Sequence, residues 1–242
     1  MISRYLSRFA APLASASIFL AACGGAAAPS ATPTTAVAAT ATAAATAAAT
    51  PTPSASAATS VGTATWTIGD TSKATVRVRE QLVGVNLPSD AVLVATGATG
   101  TFQLKDDGTF SSDAKLSFDL TTLASDNRQR DDFVKSDTLQ TRQFPKAEFV
   151  PTKTTGLALP MPASGEFTFK LTGQLTIKGK TKEVTFDVQA KRTGNELAAT
   201  ATAAPTWKFA DFGMTAPSVP FRVVSIVDEI RVVVDMVATV KA

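Results

Sequence analysis

Residues 116–149 read LSFDLTTLASDNRQRDDFVKSDTLQTRQFPKAEF, and this segment decides the fold. It begins as a strand, because apolar residues occupy every second position from 116 to 120 and this period gives a strand one apolar and one solvated face. A polar run then interrupts the alternation. With Asp126 as its N-cap, the run predicts a short helix that reaches Phe133. Phe144-Pro145 ends this excursion, because the residue before a proline favours extended geometry, and a new strand continues through Phe149.

The same alternation recurs between positions 65 and 241, at spacings typical of hairpins. Turn signals separate the runs, among them Asp106-Asp107-Gly108, Lys178-Gly179 and Thr193-Gly194-Asn195. Gly97 and Gly100 fall inside one run, where they predict a bulge or a bend. The pattern predicts an all-β domain of roughly eight or nine antiparallel strands with one or two short helices, and it leaves a sandwich and a closed barrel open.

The N-terminus carries the features of a lipoprotein signal peptide, predicted over residues 1–22. Arg4 and Arg8 precede a mostly apolar run at 9–20, which as a helix would be about 18 Å long, shorter than the roughly 30 Å hydrocarbon core of a bilayer. The sequence Leu20-Ala21-Ala22-Cys23-Gly24 matches the bacterial lipobox and predicts acylation of Cys23. An incidental or buried cysteine is the alternative. The predicted location is the bacterial cell envelope, with the exported protein anchored by its acyl chains either at the outer face of the cytoplasmic membrane or in the periplasm and outer membrane.

A low-complexity segment follows, and residues 23–60 are predicted to comprise the acylated Cys23 and a disordered tether. Positions 24–60 consist almost entirely of Ala, Thr, Pro and Ser and contain no charge and no aromatic ring. As a flexible coil the tether would reach on the order of 35 Å, and an O-glycosylated stalk is the alternative. The folded domain is predicted over residues 61–242.

Composition excludes several kinds of chemistry. The chain has no histidine, so a histidine base, a Ser-His-Asp triad and histidine metal ligands are excluded. Ser112 and Lys115 have a Ser-x-x-Lys spacing, but in an alternating strand they point to opposite faces. The pairs Asp106-Asp107 and Asp131-Asp132 lack a third spaced carboxylate. We therefore predict no catalytic residue, no metal site and no enzyme activity.

The charge balance also argues against nucleic acid as a partner. Two of the 23 basic residues belong to the predicted signal, which leaves 21 basic residues against 20 acidic ones. No basic run interleaves with aromatic residues. We therefore predict no nucleic-acid partner, and the charge pattern leaves a homodimer open.

Four motifs in this order resemble the YceI-like family of lipocalin-like, polyisoprenoid-binding proteins. They are Leu123 and Ser125 followed by Arg130-Asp131, Phe144-Pro145 followed by Phe149, the run GQLTIKG at 173–179, and the run DFGM at 211–214. The resemblance covers roughly residues 64–241 and implies an up-and-down, lipocalin-like, eight-stranded β-barrel. Many members carry a histidine just after the Arg-Asp pair, whereas this chain has Asp132-Phe133 there, so any role of that histidine is absent.

The resemblance further implies that the barrel binds an apolar chain such as a polyisoprenoid or a quinone, and no other cofactor is predicted. An eight-stranded barrel is about wide enough either to be filled by side chains or to hold one small ligand. The predicted inward positions mix phenylalanine with valine and alanine, a mixture that would leave a slot. The predicted ligand-binding residues are Val76, Val78, Phe110, Leu116, Phe118, Arg130, Phe133, Phe149, Phe167, Phe169, Phe186 and Val188.

Two alternatives remain open at this point. Arg130 faces either a polar head group at the barrel mouth or a carboxylate in a structural ion pair that pins the helical excursion. The apolar residues either surround a ligand or simply fill the core of a non-catalytic structural or interaction module.

Overall fold

The computed structural model describes residues 64–218 and 223–240, and it contains nine β-strands and one α-helix in this part of the chain. The predicted signal peptide, Cys23, the tether and positions 61–63 lie outside the described residues. Helix α1 (Arg128–Phe133) runs directly into one π-helical turn (Val134–Thr138), and a 3₁₀ turn spans Phe209–Phe212. The strands are β1 (Trp66–Ile68), β2 (Lys73–Leu82), β3 (Ser89–Phe102), β4 (Lys115–Ala124), β5 (Lys146–Thr155), β6 (Ser164–Ile177), β7 (Lys180–Thr193), β8 (Glu196–Ala203) and β9 (Val223–Val240).

The sheet closes into an eight-stranded antiparallel barrel, as predicted. Each strand from β2 to β9 pairs with its neighbour in sequence, and β2 also pairs with β9, for example at Val76 and Val232. The short strand β1 continues the position of β2 between β3 and β9, since Trp66 is paired with both Phe102 and Val240. Because β2 and β9 pair with each other, neither strand leaves an open edge of the sheet.

Turn chemistry matches the sequence signals. Lys178 and Gly179 both have positive φ, at 50° and 69°, which joins β6 and β7 with a two-residue turn. Gly97 has a positive φ of 68° and lies between Thr96 and Thr99, where the β3–β4 pairing shifts its register. A Cβ added at Gly100, which pairs with Leu116, would approach the Lys115 carbonyl oxygen to 2.1 Å. Only glycine allows this close approach, so the predicted irregularity of β3 is confirmed.

Two local predictions are wrong. Asn127 caps α1 in place of Asp126, because its side chain accepts a hydrogen bond from the Arg130 backbone N–H at 3.2 Å. Ser112 lies in a turn and not in a strand, because the Ala114 N–H is bonded to the Ser111 carbonyl and β4 begins only at Lys115. The alternation of apolar and polar residues therefore begins before the hydrogen-bonded part of β4, which is why the sequence pattern placed Ser112 in the strand.

The two ends of the barrel differ. One end, here called the mouth, carries the turn between β2 and β3, the helical excursion between β4 and β5, and the link between β8 and β9. The other end, here called the closed end, carries β1 and the connections β3–β4, β5–β6 and β7–β8. Alternate residues of each strand point inward, as on β7, where Val184, Phe186, Val188 and Ala190 are buried. The site lies inside, between these ends.

Candidate apolar binding cavity

The mouth opens into a cavity of about 450 Å³, here called the outer cavity. Its walls come from β2, β3 and β9, from the helical excursion and from the β8–β9 link. Phe133 and Leu139 line it on the helical side, and Phe209 and Phe212 line it from the link. This volume lies within the roughly 300–1,000 Å³ range of small-molecule sites.

A second cavity of about 180 Å³, here called the inner cavity, lies deeper in the barrel. Its lining is apolar apart from Thr154, and the aromatic residues come from the five strands β3 to β7 and from two isolated bridges. Small residues such as Ala199 and Ala201 on β8 alternate with them around the wall. Because small side chains face large ones, the interior is not filled at this level.

Trp207 lies at the junction of the two cavities. Its backbone is held by β9, since Trp207 N–H donates to the Ile230 carbonyl at 3.0 Å and Ile230 N–H donates back at 2.7 Å. Its ring packs edge-on against Phe186 and Phe212, with ring centroids 5.9 and 5.5 Å away. The residues that line both cavities are Val76, Leu120, Leu123, Ile177, Trp207 and Val232.

An ion pair forms the polar edge of the outer cavity. Glu80 is only 5% exposed because it occupies an inward position on β2, two residues after Val78. Its Oε1 accepts a hydrogen bond from Arg130 Nη2 at 2.6 Å. Arg130 Nη1 also donates to Asp126 Oδ1 at 2.6 Å, but that carboxylate is largely solvated. The guanidinium therefore ties α1 to the barrel wall.

The other half of the Arg-Asp motif is satisfied within the excursion. Asp131 is buried, and its Oδ1 accepts a hydrogen bond from Ser125 Oγ at 2.6 Å. Ser125 lies between the two motif residues, since Arg130 Nη1 also reaches its Oγ at 3.3 Å. Of the two roles left open for Arg130, the structural ion pair is present, and the same side chain lines the outer cavity.

A carboxylate also fixes the β8–β9 link. Asp211 Oδ1 is 2.6 Å from Lys182 Nζ, and its Oδ2 accepts a hydrogen bond from the Lys208 N–H at 2.9 Å. The Lys182 hydrogen bond is the largest cause that lowers the pKa of Asp211, and the backbone bond adds to it. These bonds hold the 3₁₀ turn in the orientation that directs Phe209 and Phe212 towards the outer cavity.

Arg192 seals the closed end. It is 2% exposed, its guanidinium lies 5.1 Å from the Trp66 ring centroid, and burial lowers its pKa. Nη1 donates to the carbonyls of Met161 and Pro162, each at 3.1 Å, and Nε donates to Gly194 at 2.9 Å. Backbone carbonyls and one aromatic face thus surround a cation that has no carboxylate within salt-bridge distance in the described part of the chain.

Eleven of the twelve residues proposed from sequence line one of the two cavities. Val78, Arg130 and Phe133 line the outer cavity, and Val76 lines both. Phe167 lies outside both linings, half-buried on β6 opposite Ala190. The other seven predicted residues line the inner cavity, and they are Phe110, Leu116, Phe118, Phe149, Phe169, Phe186 and Val188.

Sequence reasoning missed Glu80, Trp207 and the two phenylalanines of the 3₁₀ turn. Glu80 had a usable signal, because it is a charge at a position where the alternation demands an apolar residue. Trp207 had none, since the irregular link has no period from which an inward direction could be deduced.

Among the residues that the structure describes, no group of three or more His, Cys, Asp or Glu side chains could hold a metal ion. Within the same residues no helix is long and apolar enough to cross a membrane.

Comparison with known proteins gives consistent matches. Residues 66–238 match the family model of the YceI-like domain. UPF0312 proteins of Pseudomonas putida are 36% identical over 132 residues, and the match covers 49% of this chain and 64% of the relatives' length. The chain therefore spans less than two thirds of these curated relatives.

Two solved structures share the fold at low sequence identity. BcnA of Burkholderia cenocepacia has a TM-score of 0.52 at 21% identity, covering 69% of this chain and 96% of that one. A polyisoprenoid binding domain from Saccharophagus degradans, implicated in plant cell wall breakdown, has a TM-score of 0.55 at 12% identity, covering 73% and 98%.

Proposed function

The chain belongs to the YceI-like family, and from this premise we propose that its barrel binds or carries an apolar chain such as a polyisoprenoid or a quinone. The outer cavity carries the proposal, because about 450 Å³ of apolar space opens to the surface at one end of the barrel. The inner cavity extends that space past Trp207 towards the closed end. The likeness to a polyisoprenoid binding domain supports the same class of ligand.

The energetics favour a long hydrocarbon over a compact polar ligand. Burial contributes about 0.8 kcal/mol per methylene, so each five-carbon isoprene unit adds roughly 4 kcal/mol before ordering and association costs. Two or three buried units are then enough for tight binding. A polar ligand would find few partners, since Glu80 and Arg130 are the charged side chains of the lining and they are bonded to each other.

The polar end of such a chain is proposed to lie beside this ion pair. Arg130 and Glu80 border the outer cavity, while the inner cavity is bordered by hydrocarbon. A head group placed at the inner end would lose its hydration without gaining hydrogen bonds. The chain therefore enters tail first and keeps its head at the mouth.

Anchoring and location complete the proposal. The lipobox at Cys23 supports an exported lipoprotein held at the cell envelope by its acyl chains. Such an anchor would hold the barrel beside the bilayer that supplies apolar chains. A module with a filled core is not favoured, because the described barrel contains open space at two levels.

The test is organic extraction of the full chain with Cys23→Ser, purified without detergent, followed by mass analysis of the extracted lipid. We expect an isoprenoid or quinone of several hundred daltons. Ala91→Trp fills the outer cavity and should abolish retention, whereas Val150→Trp places the same ring on an exposed wall and should not. Leu139→Trp enters the outer cavity from the helical side and serves if Ala91→Trp fails to fold. An empty wild-type extract, or equal retention by the filled and control variants, contradicts the proposal.

A further inference from the structure

One side of the barrel mouth carries exposed apolar side chains. Seven large apolar residues are exposed in the described part of the chain, and two of them, Val150 and Val237, lie singly on the barrel wall. The other five belong to the β2–β3 turn and to the start of β9, and we call them the apolar rim. They are Val83, Val85, Leu87, Val224 and Val227, and Leu87 is 76% exposed.

The apolar rim is continuous with the outer cavity. Leu82, Val223 and Ile226 line that cavity, and the strand pairing joins Leu82 to Val223 directly. Val224 turns outward beside them, because alternate residues of a strand face opposite sides, and Val83 is exposed in the turn that follows Leu82. Apolar surface therefore runs from the cavity wall over the edge of the mouth to the outside.

The two segments that form the apolar rim also carry no charge. Residues 81–89 read QLVGVNLPS and residues 223–227 read VVSIV. Charged residues flank each segment directly, with Glu80 and Asp90 beside the first and Arg222 and Asp228 beside the second. A clustered and uncharged apolar surface of this kind marks an interaction site, whereas single exposed apolar residues do not.

We propose that the apolar rim docks the barrel mouth on a lipid bilayer, so that an apolar chain passes between the bilayer and the outer cavity without crossing water. This inference rests on the proposed function, because the apolar chain proposed to bind in the barrel is what would pass from the bilayer into the outer cavity. An isoprenoid chain resides among lipid tails, and a mouth pressed into the interface keeps its path apolar throughout.

The chain that precedes the barrel is long enough for this orientation. The described residues begin at the closed end, because β1 pairs with the ends of β3 and β9 there. The 14 residues of β6 span about 46 Å along the strand, or roughly 35 Å along a barrel axis at a typical tilt. The predicted tether reaches on the order of 35 Å as a coil, so an anchor attached through the closed end still lets the mouth reach the membrane.

Two matched probes test the docking. In the full chain with Cys23→Ser, the introduced thiol is the only one, and Leu87→Cys or Asn195→Cys carries an environment-sensitive fluorophore. Leu87 lies on the apolar rim, and Asn195 is exposed at the closed end. Each labelled chain is mixed with phosphatidylcholine vesicles that contain quenchers within the acyl region. We expect a blue shift and at least threefold stronger quenching for the Leu87 probe, and Val224→Asp should remove most of that difference.

The outcomes separate this inference from the proposed function. Equal quenching of the two probes, or none, refutes docking through the apolar rim. A Leu87 probe that is shielded without vesicles, in proportion to protein concentration, assigns the apolar rim to a second copy of the chain and also refutes it. Lipid extraction of the same preparations reports the proposed function independently. A retained isoprenoid with an unquenched Leu87 probe contradicts only the docking, and a quenched probe without retained lipid contradicts only the carrier function.

Discussion

Replacing Arg130 with methionine leaves Glu80 as an uncompensated charge in the barrel wall. The Glu80 side chain is 6% exposed, and its Oε1 lies 2.6 Å from Arg130 Nη2. With charges about 4 Å apart and an effective dielectric constant near 20, their attraction is about 4 kcal/mol. Truncating one partner of a buried pair typically costs about 3–5 kcal/mol. We expect Arg130→Met to lower the free energy of unfolding by that amount.

The double variant decides whether the loss comes from the stranded charge. In Glu80→Leu/Arg130→Met both charges are replaced by apolar groups of similar volume, so we expect stability within about 1 kcal/mol of the wild type. Asp126→Asn is the matched control, because it removes the solvated partner of the same guanidinium. A loss below about 1 kcal/mol is expected there.

Urea unfolding of the full chain, followed by the fluorescence of Trp66 and Trp207, measures these four proteins and the single variant Glu80→Leu, which completes the double-mutant cycle. Both rings are buried, so unfolding changes their surroundings strongly. A coupling free energy below about 0.5 kcal/mol between the two positions would mean that the changes are additive. The ion pair would then not hold α1 on the barrel, and the reasoning would fail.

Three further predictions concern the closed end, the link and the junction. Arg192→Met should destabilise the protein by about 2–4 kcal/mol, because three carbonyl acceptors lose a charged donor. A red shift of Trp66 emission should accompany this loss, and a loss under about 1 kcal/mol would contradict the sealing role. The lowered pKa of Asp211 adds stability that is complete above the unfolded value of 3.8 and is lost as the pH falls through the lower folded value. Asp211→Asn should therefore flatten the acid limb of the profile of stability against pH, whereas an unchanged acid limb would show that the ion pair with Lys182 contributes nothing. Trp207→Ala should join the two cavities and shift extracted lipid towards longer chains, and an unchanged chain-length distribution would remove Trp207 from the junction.

Sequence periodicity predicted the strands because each inward position demands an apolar residue. It could not choose between a barrel and a sandwich, since closure depends on the pairing of β2 with β9, the first and last of the eight barrel strands. That pairing adds no local signal, because valines such as Val76 and Val232 suit either architecture. The barrel came from the resemblance to a family, and the structure confirms it.

The site was predictable only in part, for a different physical reason. Alternation tells which side chains point inward, and eleven of the twelve residues predicted from sequence line a cavity. It does not tell how completely they fill the interior, because that depends on the three-dimensional fit of large and small groups. The irregular link that carries Trp207 and Phe212 into the barrel has no period, so its contribution to the walls could not be deduced.

Arg192 and Arg130 make different contacts at the two ends of the barrel. At the closed end Arg192 donates to backbone carbonyls of two loops and lies against Trp66, and the void beside it is only about 10 Å³. At the mouth Arg130 is bonded sideways to Glu80 on the wall, so α1 is fixed at the perimeter and about 450 Å³ stays open. The proposed entry of an apolar chain is therefore through the mouth, past the apolar rim and beside the Glu80–Arg130 pair.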